Sequence, residues 1–177
     1  MAVVPLLLIL VWLAVCAVWD LRHRELPLWI TLVPYLAGAA YAALRGQWPA
    51  ALLAVLLIPV SDLPKVLRLA GSILLVAAAE FLSPNTDGIW LSAAVWLVWL
   101  IWDWFPALYG GADARILIAL ALLALDGRIV LVLLLGMGLV GLILKAWKGR
   151  PTPMVPGILV GGIVYLMLFH NLRLSLF

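Results

Sequence analysis

Long apolar runs, interrupted by short polar segments, constrain the fold of this chain more than any other feature. Hydrophobic residues make up 68% of the sequence and charged residues 11%, whereas soluble domains are about half apolar and a quarter charged. A bilayer core takes about 20 apolar residues per helix, so the sequence predicts an all-α, polytopic transmembrane helix bundle of about 6–8 spans. The predicted helices cover residues 3–19, 28–45, 48–60, 69–82, 89–106, 112–125, 128–147 and 154–170.

Two of these segments, 48–60 and 69–82, are shorter than a usual span, and a tilted or re-entrant pair is an alternative to two complete spans. Pro59 and Pro64 lie between them in "PVSDLPKVLR" and argue against one continuous helix from 48 to 82. No stretch is long enough for a separate soluble domain. We therefore interpret residues 1–177 as a single integral membrane domain.

Basic residues in the predicted loops indicate the orientation of the chain. With eight spans, more of the basic residues lie in loops on one side of the membrane than on the other. The side with more basic residues, the richer face, is expected to be cytoplasmic. This predicts a multi-pass protein of the cytoplasmic membrane, with lipid as a partner. The net charge of +3 gives no indication of nucleic acid binding. The richer face carries Arg22, Arg24, Lys65, Arg68, Arg115, Lys145, Lys148 and Arg150, and the other face carries Arg45, Arg128 and Arg173.

The residue types that bind metals are sparse. The chain has one cysteine, Cys16, within an apolar run, and two histidines, His23 and His170, far apart in sequence. Neither a cysteine knuckle nor a histidine cluster can be assembled from them by spacing. The sequence therefore predicts neither a metal nor an organic cofactor.

Two carboxylates, Asp20 and Asp113, stand at ends of predicted helices on the same cytoplasmic face. If their helices pack together, the two side chains can approach closely and share a proton. Such a pair can activate water and protonate a leaving group, which is the chemistry of an aspartic protease. Gly110 and Gly111 leave room for a backbone or a substrate beside Asp113.

The residues alone leave a structural explanation open for both acids. Asp20 could pair with Arg22 or Arg24. Asp113 could be an N-terminal helix residue close to Arg115, where the helix dipole favours a carboxylate.

The stretches "WDLRHRELPLW" and "YGGADARILIAL" together resemble the type IV prepilin peptidase family, which includes the preflagellin peptidases. Asp20, Arg22 and Pro27 match a D-x-R-x-x-x-x-P pattern after the first span. Gly110, Asp113 and Arg115 match in outline a G-x-G-D motif that is followed by a basic residue, although Ala112 replaces the second glycine. The resemblance implies a peptidase-only form, because the chain has no counterpart to the cysteine-rich methyltransferase domain of larger members.

The resemblance implies an intramembrane aspartic endopeptidase with Asp20 and Asp113 as catalytic residues. Its substrates would be prepilin-like precursors that carry a short basic leader before a hydrophobic helix. The residues that bind substrate or shape the site would be Gly110, Gly111, Arg22, Pro27 and Arg115. The alternatives are a catalytically degenerate member of the family and a small membrane transporter or scaffold that uses the carboxylates for ion pairs.

Overall fold

A computed structural model describes residues 3–23, 25–83, 85–104, 111–148 and 155–174. Within these ranges the chain has eight helices and no strand, which confirms the all-α part of the prediction. That these helices form a polytopic transmembrane bundle stays a prediction. The helices follow the predicted apolar runs in number and order. They are α1 (Val3–His23), α2 (Leu28–Leu44), α3 (Trp48–Val60), α4 (Lys65–Leu82), α5 (Thr86–Trp104), α6 (Gly111–Ala124), α7 (Arg128–Lys148) and α8 (Val155–Leu174).

The break between α3 and α4 confirms that no continuous helix joins residues 48 and 82. Pro64 precedes the first residue of α4, where its fixed φ and missing N–H suit a helix start. The predicted start at residue 69 is wrong by one turn, because Lys65 and Arg68 are helical despite their charge. Cations are unfavourable at the N-terminal end of a helix, which is its positive end. Arg68 is nevertheless helical there, and it forms an ion pair with Asp103 of α5.

Contacts within the chain form two compact units, Met1–Ile30 with Leu131–Phe177, and Thr31–Val130. The interpretation of residues 1–177 as one domain stays a prediction. In the second unit, α5 packs against α3, α4 and α6. Helix α6 is the most enclosed of these, since Ala114 and every residue from 116 to 122 are buried. This burial explains why the sequence of α6 is apolar around its whole circumference.

Helices α7 and α8 of the first unit meet through glycine. A Cβ atom on Gly136 would lie 2.7 Å from the carbonyl oxygen of Gly157 and 2.8 Å from the Cα atom of Gly161. The spacing of Gly157 and Gly161 predicts close helix packing, and this prediction is confirmed. Helix α8 also packs against α1, where Leu13 lies beside Gly162.

The helices range from the 13 residues of α3 to the 21 residues of α1 and α7. Among the residues that the structure describes, no helix reaches the combination of length and apolar character that a membrane crossing needs. Helix α1 exposes large apolar side chains along one face, with Leu8 at 65% and Val11 at 61% exposure. Val15 and Val18 continue that face at 49% and 51%.

Candidate functional site

Asp20 lies in the last turn of α1 and is buried, with 9% of its surface exposed. Its Oδ2 atom accepts a hydrogen bond of 3.2 Å from the backbone N–H of Val155. Val155 is the first residue of α8, so the carboxylate lies at the N-terminus of that helix. The structure thus joins α1 and α8 through one side chain.

This position lies at the positive end of a helix. The first N–H groups of a helix have no partner within the helix, and the helix dipole places partial positive charge there. A carboxylate is therefore stabilised at the start of α8, although Asp20 belongs to a different helix. Pro156 follows Val155 and fits the first turn, where its missing N–H costs no hydrogen bond.

Asp113 lies in the first turn of α6, as predicted, and is half-buried. Gly111 begins the helix, and the Trp102 side chain of α5 lies against it. A Cβ atom on Gly111 would be 3.4 Å from the Trp102 ring, an ordinary contact distance. Each of the two predicted catalytic carboxylates therefore lies at a helix N-terminus, Asp113 at that of its own helix and Asp20 at that of α8.

Arg115 is half-buried, and its Nε–H donates a hydrogen bond of 3.0 Å to Oγ1 of Thr31. Thr31 is fully buried on α2, so this bond ties the start of α6 to α2. One turn further along α2, the hydroxyl of Tyr35 donates a buried hydrogen bond of 2.6 Å to the carbonyl of Ala54 in α3. Arg115 thus holds helices together within the second unit.

Arg22 follows Asp20 in the last turn of α1, and its side chain is exposed. Pro27 is half-buried at the start of α2, where its carbonyl accepts a hydrogen bond of 3.1 Å from the N–H of Ile30. The indole N–H of Trp12 donates to the carbonyl of Ile30 at 3.0 Å and ties this start to α1. Gly110 lies outside the described residues.

Asp20, Arg22 and Pro27 belong to the first unit, whereas Asp113 and Arg115 belong to the second. Within the units, Asp20 and Arg22 share one turn of α1, and Asp113 and Arg115 share the start of α6. The pairing of the two carboxylates stays a prediction.

The bonding partners of these side chains were missed by sequence reasoning. The sequence around Val155 does not indicate contact with an acid, and the sequence around Thr31 does not indicate contact with an arginine. Valine and threonine are both common in apolar helices. Asp103, next to the last residue of α5, is not among the predicted site residues. Its side chain is 6% exposed and pairs with Arg68.

Within the described ranges, no three His, Cys, Asp or Glu side chains come together as a metal site would require. The second unit has a groove of about 370 Å³ that is lined mainly by apolar side chains of α4. The amino group of Lys65 lies at this groove, 5.5 Å from the centre of the Trp104 ring. None of the predicted site residues lines it.

No family model matches the sequence, and neither the curated proteins nor the solved structures provide a match. Fold and site together define an all-helical protein in which a carboxylate at the end of one helix binds the start of another.

Proposed function

We propose that this chain is a membrane-embedded aspartic endopeptidase that removes the basic leader of prepilin-like precursors at the cytoplasmic face of the membrane. Asp20 and Asp113 would be its catalytic pair. One observation carries the proposal: the two acids that match the motifs are both associated with helix N-termini. A helix N-terminus stabilises a carboxylate without a metal or a basic side chain.

The proposed reaction is hydrolysis of one peptide bond. One carboxylate of the pair accepts a proton from water, and the water oxygen bonds to the carbonyl carbon of the substrate. The other acid, in its protonated form, donates its proton to the leaving nitrogen as the C–N bond breaks. Two coupled acids suit this task, because the charge of one raises the proton affinity of the other.

The proposed substrate has a short basic leader, a small residue before the cleavage point and then a hydrophobic helix. Lipid would hold that helix beside the enzyme and bring the leader to the site. The exposed apolar face of α1, which includes Leu8 and Val11, supports a lipid setting, because soluble proteins rarely leave large apolar patches uncovered. The proposed reaction uses no metal, organic cofactor or nucleic acid.

The remaining site residues have supporting roles in this proposal. Gly110 and Gly111 would let the substrate backbone approach Asp113. Pro27 would shape the loop after α1. Arg115 would fix the start of α6 through its bond to Thr31. Arg22 is exposed beside Asp20 and is available to contact the precursor.

A second candidate function is a non-catalytic membrane scaffold or a degenerate peptidase. The hydrogen bond from Val155 to Asp20 is compatible with it, because this bond by itself gives the acid a structural role at the start of α8. In that case Asp20 would be needed for folding and not for bond cleavage.

Cleavage of a precursor by the purified chain tests the proposal. Asp20→Asn keeps an oxygen that can accept the Val155 N–H and removes the ability to share a proton. We expect this variant and Asp113→Asn to stay folded and each to lose at least 100-fold in cleavage rate, the usual scale of acid–base catalysis.

Asp126→Asn is the matched control. Asp126 also serves a helix start, since its Oδ1 accepts a hydrogen bond of 2.9 Å from the N–H of Arg128 in α7. We expect this variant to cleave at the normal rate. Normal cleavage by Asp20→Asn or by Asp113→Asn would contradict the catalytic pair and support the scaffold.

A further inference from the structure

Four buried polar side-chain atoms in the described part of the chain have no hydrogen-bond partner in the protein. They are Oε1 of Gln47, Oγ of Ser92, Nε1 of Trp96 and Nε1 of Trp99. Three of them belong to α5, at positions that are four and then three residues apart. Residues with this spacing lie on one face of a helix, so the three form a line along α5.

Both ends of this line continue in polar groups. At the N-terminal end, Gly88 lies one turn before Ser92, and a Cβ atom on Gly88 would be 2.6 Å from Oε1 of Gln47. At the other end, Asp103 lies one turn after Trp99 and pairs with Arg68 of α4. We call Gln47, Ser92, Trp96, Trp99 and Asp103 the α5 polar stripe.

Leaving these atoms unpaired is costly. Ser92 is fully buried, Trp99 is 3% exposed and Gln47 is 8% exposed, so bulk water does not reach them freely. A buried polar atom without a partner loses its hydration and gains nothing in return. Four such penalties together are comparable to the whole net stability of a domain.

The chemistry of the stripe identifies what can satisfy it. The two indole N–H groups only donate hydrogen bonds, Oε1 of Gln47 only accepts, and the hydroxyl of Ser92 does both. Water is a small molecule that can accept a hydrogen bond from an indole N–H and donate one to Oε1 of Gln47. Successive positions of the stripe along α5 are about one turn, roughly 5 Å, apart on the helix axis, and hydrogen-bonded water molecules can connect polar groups over such a spacing.

The ion pair at the end of the stripe is a second, independent reason to expect bound water there. The Asp103 side chain is 6% exposed and that of Arg68 is 24% exposed. Taking two charges out of water is unfavourable unless their remaining hydrogen-bonding capacity is filled. Water bound beside Trp99 would hydrate this pair from within the helical unit.

We propose that the α5 polar stripe binds a chain of water molecules that runs from Gln47 to the Arg68–Asp103 ion pair. These water molecules form a polar path along an otherwise apolar helix. None of the groups that form it is one of the proposed peptidase residues.

Substitution of two serines provides the first test. Ser92 and Ser72 are both fully buried in helices, but Ser72 donates a hydrogen bond of 2.9 Å to the carbonyl of Leu69. Removing a hydroxyl that holds water should be unfavourable, whereas removing an unpaired hydroxyl should be favourable. We expect Ser92→Ala to lower the thermal midpoint of the purified chain by about 2–4 °C, much as Ser72→Ala does by removing its bond to Leu69.

Comparison with Ser72→Ala cancels the higher helix propensity of alanine, which affects both variants alike. A midpoint for Ser92→Ala that clearly exceeds that of Ser72→Ala would overturn the proposal, because it would mean that the Ser92 hydroxyl holds no water.

The second test observes water at the indoles directly. In the full-length chain labelled with ¹⁵N-tryptophan, the indole protons of Trp96 and Trp99 should show NMR cross-peaks to bound water. Trp12 is the control, because its indole N–H donates to the carbonyl of Ile30. Assignments come from Trp96→Phe and Trp99→Phe. If neither indole proton shows contact with water, the proposal fails, whatever the serine variants show.

Discussion

Asp20 and Val155 are 135 positions apart in sequence and are joined by a hydrogen bond of 3.2 Å from the N–H of Val155 to the carboxylate of Asp20. The bond places a negative charge at the start of α8. It therefore supports two roles for Asp20, as the anchor of the last helix and as a member of the proposed catalytic pair. The two roles respond differently to substitution, because only one of them needs a proton to be shared.

The anchoring role predicts how the stability of the chain depends on the side chain at position 20. Asp20→Ala removes the acceptor for Val155 and should lower the free energy of unfolding by about 1–2 kcal/mol, as for the loss of a helix cap. Asp20→Asn keeps an acceptor oxygen and should lose less than half as much. Chemical denaturation of the purified chain measures both. Equal losses would contradict the acceptor explanation.

The crossing of α7 and α8 predicts opposite effects for two glycines of α7. A Cβ atom on Gly136 would lie 2.7 Å from the carbonyl oxygen of Gly157, so Gly136→Ala should force the helices apart and cost about 1–3 kcal/mol. Gly138 has no neighbouring atom within 4 Å of such a Cβ. Gly138→Ala should stabilise the chain by about 0.5–1 kcal/mol through helix propensity alone.

Denaturation midpoints of the two glycine variants, measured in parallel, provide the comparison. The sign of the difference is the decisive result. If both substitutions stabilise the chain, the close approach of Gly136 to Gly157 and Gly161 is not present in solution.

The ion pair between Arg68 and Asp103 predicts non-additive substitutions. Asp103→Leu leaves the Arg68 guanidinium without its counter-charge and should cost roughly 2 kcal/mol, since the pair is mostly buried. The double variant Arg68→Met/Asp103→Leu removes both charges and should recover at least half of that loss. A double-mutant cycle measured by denaturation tests this. Additive losses would mean that the two charges do not interact.

A substitution at the start of α6 can distinguish an effect on the stability of the fold from an effect on the proposed cleavage. A Cβ atom on Gly111 would make an ordinary contact of 3.4 Å with the Trp102 ring, so Gly111→Ala should change the free energy of unfolding by less than about 0.5 kcal/mol. The proposed peptidase needs this position open for the substrate backbone. We therefore expect a reduced cleavage rate in a folded protein. Unchanged cleavage would remove Gly111 from the site.

The positions of the helices could be predicted from the sequence because they depend on local properties. Apolar runs bury helical faces, and Pro59 and Pro64 limit where a helix can continue. The spacing of Gly157 and Gly161 indicates close packing, since four residues bring both to one face. The start of α4 was missed because Lys65 and Arg68 were interpreted as loop charges.

Side-chain partners depend on which helices pack together, and the tertiary structure alone decided them. The bonds of Asp20 with Val155, of Arg115 with Thr31 and of Arg68 with Asp103 join residues 135, 84 and 35 positions apart. No local pattern encodes such distances, because many helix arrangements bury the same apolar faces. Polar side chains find their partners only once one arrangement is formed, and there each bond adds about 1 kcal/mol or more.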